Sequence, residues 1–211
     1  MIHRVHGARP SAPAPAPSAH RCQSSRRCES SLRYERELGW PTAGSDPVEL
    51  LTGVAFDVIE LPAVAGRAML RRVPRTGPVA VEGAWMRLLV APGSADELPG
   101  LLDWLEWGGV ALDLGAIGAG GRITAPCPSR SWPPALDAGA PGERCPQEAA
   151  VWLRPPDPKG EVEPTLPRTG FGGDGGAPDL VRLVNAAATE CHRTRLVRAR
   201  PLPRQRRAGK G

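Results

Sequence analysis

Lysine is nearly absent from this chain: of its 27 basic residues only Lys159 and Lys210 are lysines. The arginine excess, with the abundance of Ala, Gly and Pro, reads as a GC-rich coding bias rather than as chemistry. Histidine is missing from the whole stretch between His20 and His192. No run of eighteen apolar residues occurs, so no segment reads as a membrane-spanning helix. Residues 1–20 set Arg and His around a Pro-Ala run without an apolar core, which is not the pattern of a secretory signal. The five cysteines, at 22, 28, 127, 145 and 191, are odd in number and scattered. That spacing does not make a disulfide framework and points to reduced thiols in a cytoplasmic protein. Cys22 and Cys28, with His20 beside them, are more widely spaced than a zinc knuckle and lack a second close pair, so a disordered leader is the preferred reading.

Glycine and proline are abundant, 25 of each in 211 residues. That proportion approaches low-complexity composition and predicts that part of the chain does not fold. The length suits one domain with tails. The net charge of +5 divides unevenly: residues 1–45 carry +4, residues 46–126 carry −4 and residues 127–211 carry +5. The basic character therefore belongs to the ends. A nucleic-acid groove inferred from overall charge alone would be misplaced, because such a groove belongs on folded surface.

Apolar periodicity marks out the folded part. Residues 9–20 (RPSAPAPAPSAH) cannot bury apolar area. Residues 29–38 suit a short helix anchored by Leu32 and Leu38, and continuous order is expected from about Asp46. Gly53–Leu61 is β-branched and apolar, as a buried strand should be. Pro62 then opens a helix to about Val73 with Val64, Ala68 and Leu70 towards the sheet. Residues 79–81 and 85–91 flank a Glu82-Gly83 turn and predict a hairpin. Ser94 to Glu97 fits a capping box, followed by Leu98, Leu101, Leu102 and Leu105 at helical spacing. Gly108-Gly109 is expected to end that helix, with strands at 110–114 and 122–125 and an edge strand at 151–153.

The order β-α-β-β-α-β plus extra strands is an α+β fold, the RRM-like split βαβ arrangement. The implied organisation is a disordered leader at 1–28, then an α/β domain over 29–156 with a Pro/Gly-rich insertion at 127–148. A Gly/Pro-rich linker at 157–177 follows, then a C-terminal helix at 178–197 striped by Leu180, Val184, Ala187 and Cys191, and a basic tail at 198–211. Six tryptophans are present. Single-strand stacking needs exposed rings among cations, and only Phe56 and Trp85, beside Arg87, suit it; the tryptophans read better as core and rim packing.

Three segments carry a resemblance: FDVIELPAVAGRAML, WMRLLVAPGSADELPGLLDWLEWGGVALDL and GAGGRITAPCPS. Together they resemble the N-terminal domain of bifunctional DNA primase/polymerases, of the divergent actinobacterial type, over about Gly39 to Pro156. Active members of that family transfer phosphoryl groups with two metal ions held by carboxylates on neighbouring strands. The resemblance places Asp57 as the first acid, Asp113 as a later acid and Glu60 as the second. It makes Asp57 and Asp113 the ligands of Mg²⁺ or Mn²⁺, and Arg87 and Arg122 the residues that receive a nucleotide. Two departures matter. Glu60 lies three residues from Asp57, which puts it on the opposite face of a regular strand. The family's histidine is absent, the corresponding strand reading Trp85-Met86-Arg87-Leu88.

Each candidate also has a plain structural reading. Asp57 can cap a neighbouring loop or pair with an arginine such as Arg67, Asp113 can stabilise a turn, and the glycines at 115, 118, 120 and 121 can form a turn rather than a phosphate cradle. The expected function is a degenerate primase/polymerase-like domain without catalysis, a weak DNA- or nucleotide-associated binding or regulatory module. The alternatives are a residual metal-dependent nucleotidyltransferase and an interaction protein that keeps only the scaffold. Membrane association is not expected.

Overall fold

Two apolar strands form the centre of the protein because both of their faces are covered. The computed structural model describes residues 31–44, 47–127, 150–157, 165–169 and 179–199. In chain order the elements are helix α1 (residues 31–38), strands β1 (Thr42–Ala43), β2 (Glu49–Leu51) and β3 (Asp57–Pro62), helix α2 (Ala63–Arg72), and strands β4 (Val79–Glu82) and β5 (Trp85–Val90). Helix α3 (Ser94–Trp104), strands β6 (Gly115–Ile117), β7 (Arg122–Thr124) and β8 (Val151–Arg154), and helix α4 (Leu180–Ala199) complete the fold. The expectations for the leader, most of the insertion and the tail beyond Ala199 lie outside the described residues, as do Cys22 and Cys28.

β3 and β5 pair antiparallel from Asp57↔Val90 to Pro62↔Trp85. They sit inside a five-stranded sheet of order β6-β3-β5-β4-β8. The first four positions of that order are those of the split βαβ arrangement, so the α+β, RRM-like expectation holds. β8 extends the sheet along β4 as the expected edge strand.

One face of this sheet carries Ile59, Leu61, Met86, Leu88 and Val90. It packs against Met69 of α2, Leu98 of α3 and Leu180, Leu183, Val184 and Ala187 of α4. The stripe foreseen on the C-terminal helix is therefore its buried stripe. Gly66 sets the closeness of α2, since a Cβ there would stand 2.2 Å from the Met86 sulfur. The other face carries Val58, Ala80 and Leu89, and is covered by α1 and a second sheet of order β1-β2-β7. Tyr34, Trp40, Phe56 and Trp152 fill that layer, with Trp40 and Phe56 ring centroids 4.7 Å apart. Tilted aromatic pairs at this distance add roughly 0.5–1.5 kcal/mol beyond the area they bury.

Several expectations are corrected. Order begins well before Asp46: Tyr34, not Leu32, anchors α1, its hydroxyl donating to the Pro126 carbonyl (2.6 Å) and accepting from Trp152 Nε1 (2.9 Å). Val64 is 65% exposed, because Ala63, Ala65, Gly66 and Met69 form the buried stripe of α2. Along α3 only Leu98 is buried among the four leucines, the other three being partly buried. Ser94 is not the cap of α3. Gly93 takes that position at φ +88°, without a side-chain cap, and Glu97 instead accepts the Thr169 hydroxyl.

α3 ends at Trp104, ahead of the two glycines. Glu106 adopts φ +64°, and the pair of bonds Trp107 N–H to Leu102 O (2.8 Å) and Glu106 N–H to Asp103 O (3.0 Å) closes a Schellman motif. Residues 110–114 form no strand, since α4 engages two of their carbonyls: Arg195 donates to Ala111 O (2.6 Å) and the Cys191 thiol to Asp113 O (3.6 Å). β7 joins the smaller sheet by pairing with β2. Within the segment expected to be a linker, Leu166 is 1% exposed and the Pro167 carbonyl accepts the Ala91 N–H, so this part belongs to the core.

Candidate functional site

Asp57 opens β3 and shares a face with Ile59 and Leu61, towards the helices. It is 1% exposed. Its Oδ2 accepts the N–H of Ala95 in the first turn of α3 at 3.0 Å, and Oδ1 is buried without a hydrogen-bond partner. A carboxylate there complements the unpaired N–H groups and positive end of a helix whose own cap has no side chain. Gly118 approaches from the turn after β6; a Cβ on it would stand 3.8 Å from Asp57 Oδ2 and 2.8 Å from the Ala95 Cβ. β3, α3 and the glycine turn thus close around the carboxylate.

Glu60 lies on the other face, as its odd offset requires. It stands opposite Arg87 in the β3–β5 register, and Arg87 Nε donates to Glu60 Oε2 at 2.9 Å. The same guanidinium reaches Glu82 through Nη1. Arg87 is therefore held between two carboxylates, and the set carries a formal charge of −1. Both carboxylates already engage the Arg87 guanidinium that was expected to receive a nucleotide. Arg122 is on the smaller sheet, away from Arg87, and pairs with Glu49 at 3.1 Å.

Asp113 is exposed and precedes β6 by two residues. β6 runs antiparallel to β3 from Glu60↔Gly115 to Val58↔Ile117, which puts Gly118 at the Asp57 end and Asp113 at the other. The three residues of β6, rising about 3.3 Å each, alone set its two ends roughly 10 Å apart. Carboxylates that share a divalent ion each approach it to about 2.0–2.6 Å. Asp57 and Asp113 do not fit a common Mg²⁺ or Mn²⁺, and Glu60 faces away from Asp57. Among the described residues no group of three or more His, Cys, Asp or Glu side chains is placed to hold a metal ion.

The glycine turn is bound internally. The Gly118 carbonyl accepts both the Thr52 hydroxyl and the Gly121 N–H, and the Gly121 carbonyl accepts the Thr52 N–H. Gly53, at φ +87°, permits this contact, because a Cβ there would fall 2.2 Å from the Ala119 Cα. The turn reading of these glycines accounts for their bonds.

Two groups at α4 were given no chemical role by sequence. Glu190 is 6% exposed, and its Oε1 accepts Arg72 Nε of α2 at 2.9 Å and Arg193 Nη1 at 3.2 Å. An acid one residue from the Ala187–Cys191 stripe was the available signal, since a buried carboxylate requires a cation. Cys191 is the other: burial, and secondarily the charges of Asp113 and Glu190, push its thiol up to about 12. A thiol held neutral in this way is not a nucleophile. Comparison of the chain with protein-family models, curated proteins and solved structures gives no significant match.

Proposed function

We propose that this protein is a degenerate primase/polymerase-like domain that performs no phosphoryl transfer and acts as a weak, nucleic-acid-associated binding module. The observation that carries the proposal is the separation of the acids. Asp57 serves the N-terminus of α3, Glu60 serves Arg87 on the opposite face, and Asp113 lies at the far end of β6. Two-metal chemistry requires carboxylates that converge on ions about 3.5–4 Å apart, and none of these pairs does so. The residues expected to hold Mg²⁺ or Mn²⁺ do not fit the ions, and the positions expected to receive a nucleotide are neutralised or paired with acids. What supports an association with DNA is charge on folded surface: exposed arginines on α2 and α4.

The test is primer extension on a DNA template with Mg²⁺ or Mn²⁺ and all four deoxynucleotides. No extended product is expected. Extension that Asp113→Asn abolishes would restore the nucleotidyltransferase reading. Failure to bind nucleotide or nucleic acid at low salt would leave an interaction protein on an α/β scaffold.

A further inference from the structure

We infer that the outer face of α2 and α4 is the surface that meets nucleic acid, through the phosphate backbone of a duplex. The inference rests on the reading of the chain as a nucleic-acid-associated module and adds where that contact is made. The helical layer is electrically divided. α2 carries three arginines and no acid, and α4 carries four arginines and one acid, Glu190. α3, in the same layer, carries three acids and no base. A basic face thus lies on folded surface, its α2 part inside the stretch 46–126 that is acidic as a whole.

The arrangement is more than a charge count. Arg67 and Arg71 are exposed one turn apart on α2, with Arg71 Nη1 donating to the Arg67 carbonyl at 3.2 Å. Arg72 leans across to α4, where it meets Arg193 on a single oxygen of buried Glu190. The side chains of Arg72 and Arg193 remain 53% and 54% exposed. The buried carboxylate uses one edge of each guanidinium and fixes the pair side by side, leaving further N–H donors towards solvent. Two planar forks held in place suit phosphate oxygens better than flexible point charges do, because less freedom is lost on contact. Arg182, exposed and eleven residues before Arg193, falls on the same face of α4 and prolongs the row.

The scarcity of free rings favours a duplex. Neither helix carries Phe, Tyr or Trp, and Trp107 beside α4 is engaged with His192 and Asn185 of that helix. Single-strand binding by base stacking would require them, whereas a duplex presents phosphates without asking for stacking. An anionic membrane surface would call for a continuous apolar face beside the charges. Here Val64, Leu196 and Val197 are exposed but interspersed with arginines rather than gathered on one side.

The experiment is fluorescence anisotropy of the full chain with a labelled 20-base-pair duplex, between 20 and 200 mM salt. Three full-length variants are compared: Arg67→Gln/Arg71→Gln/Arg182→Gln on the helical face, Arg204→Gln/Arg206→Gln/Arg207→Gln near the C-terminus, and Arg122→Gln on the small sheet. The helical triple variant should keep its urea midpoint, flatten the logarithmic salt slope by about 2 to 3, and bind at least about tenfold more weakly at 50 mM salt. The Arg122 variant should bind like the unsubstituted chain. Equal binding by the helical variant and the unsubstituted chain would overturn the surface while leaving the binding module in place, as would a loss confined to the C-terminal variant. No duplex binding by the unsubstituted chain at 20 mM salt would overturn both. In that case, binding to phosphatidylserine vesicles lost in the helical variant would reassign the face to lipid.

Discussion

The carboxylate of Asp57 and the backbone N–H of Ala95, 38 residues apart in sequence, meet at 3.0 Å and join the first residue of β3 to the first turn of α3. This bond substitutes for a local cap, because Gly93 precedes the helix in a left-handed conformation with no side chain to offer. It also occupies the acid that a metal-dependent transferase of this arrangement would need. Asp57→Ala should therefore lower stability by about 1–2 kcal/mol, the range for loss of a helix N-cap, as measured by urea denaturation. A change under about 0.3 kcal/mol would show that the bond contributes nothing net.

Glu106 holds φ +64° at the position after the end of α3 where helices usually place glycine. Replacing it with glycine relieves the contact between Cβ and backbone but adds freedom to the unfolded chain. Glu106→Gly should raise stability by about 0.5–1 kcal/mol, while Glu106→Val should lower it, since a β-branched residue tolerates this region least. Thermal unfolding of the two variants reads the difference directly.

Glu190 is an ion-paired acid beside the apolar stripe of α4. Glu190→Ala should cost about 1–2 kcal/mol by removing both bonds and opening space between α2 and α4. Glu190→Leu should cost less or even stabilise, because Arg72 and Arg193 are half-exposed and can turn to water while the leucine fills the site. If the leucine variant is the weaker of the two, the ion pairs are worth more than packing.

Cys191 and Tyr34 make the fold sensitive to alkali. Burial raises both groups above their ordinary values, Cys191 to about 12 and Tyr34 further still. The unfolded chain therefore releases these protons at lower pH than the folded one. The stability from Cys191 is present in full below about pH 9 and is lost as pH rises towards 12. Urea midpoints should fall across that window, with Cys191→Ala flattening the first part and Tyr34→Phe the part above pH 10. At pH 8 a thiol reagent should leave Cys191 unmodified until denaturant is added.

Much of the scaffold was legible because it follows from periodicity. An apolar strand within Gly53–Leu61, the hairpin around Glu82-Gly83, a helix after Pro62 and the buried stripe Leu180, Val184, Ala187 and Cys191 were all legible, although β3 begins only at Asp57. The opposed directions of Asp57 and Glu60 were legible for the same reason, since an offset of three residues must reverse the face of a strand. Other features depend on groups far apart in the chain. Tyr34 is an anchor because Pro126 and Trp152 complete its bonds, and residues 110–114 stay out of the sheet because Arg195 and Cys191 take their carbonyls. Arg87 is neutral in effect because Glu82 and Glu60 flank it across two strands, and Arg72 is fixed because Glu190 arrives from α4. Sequence alone determined which residues of an element share a face, a property of backbone geometry repeated every few residues, but not always which face is buried, as Val64 on α2 shows. The partners waiting on that face were decided only by tertiary structure, because they come from segments whose separation in sequence carries no periodic signal.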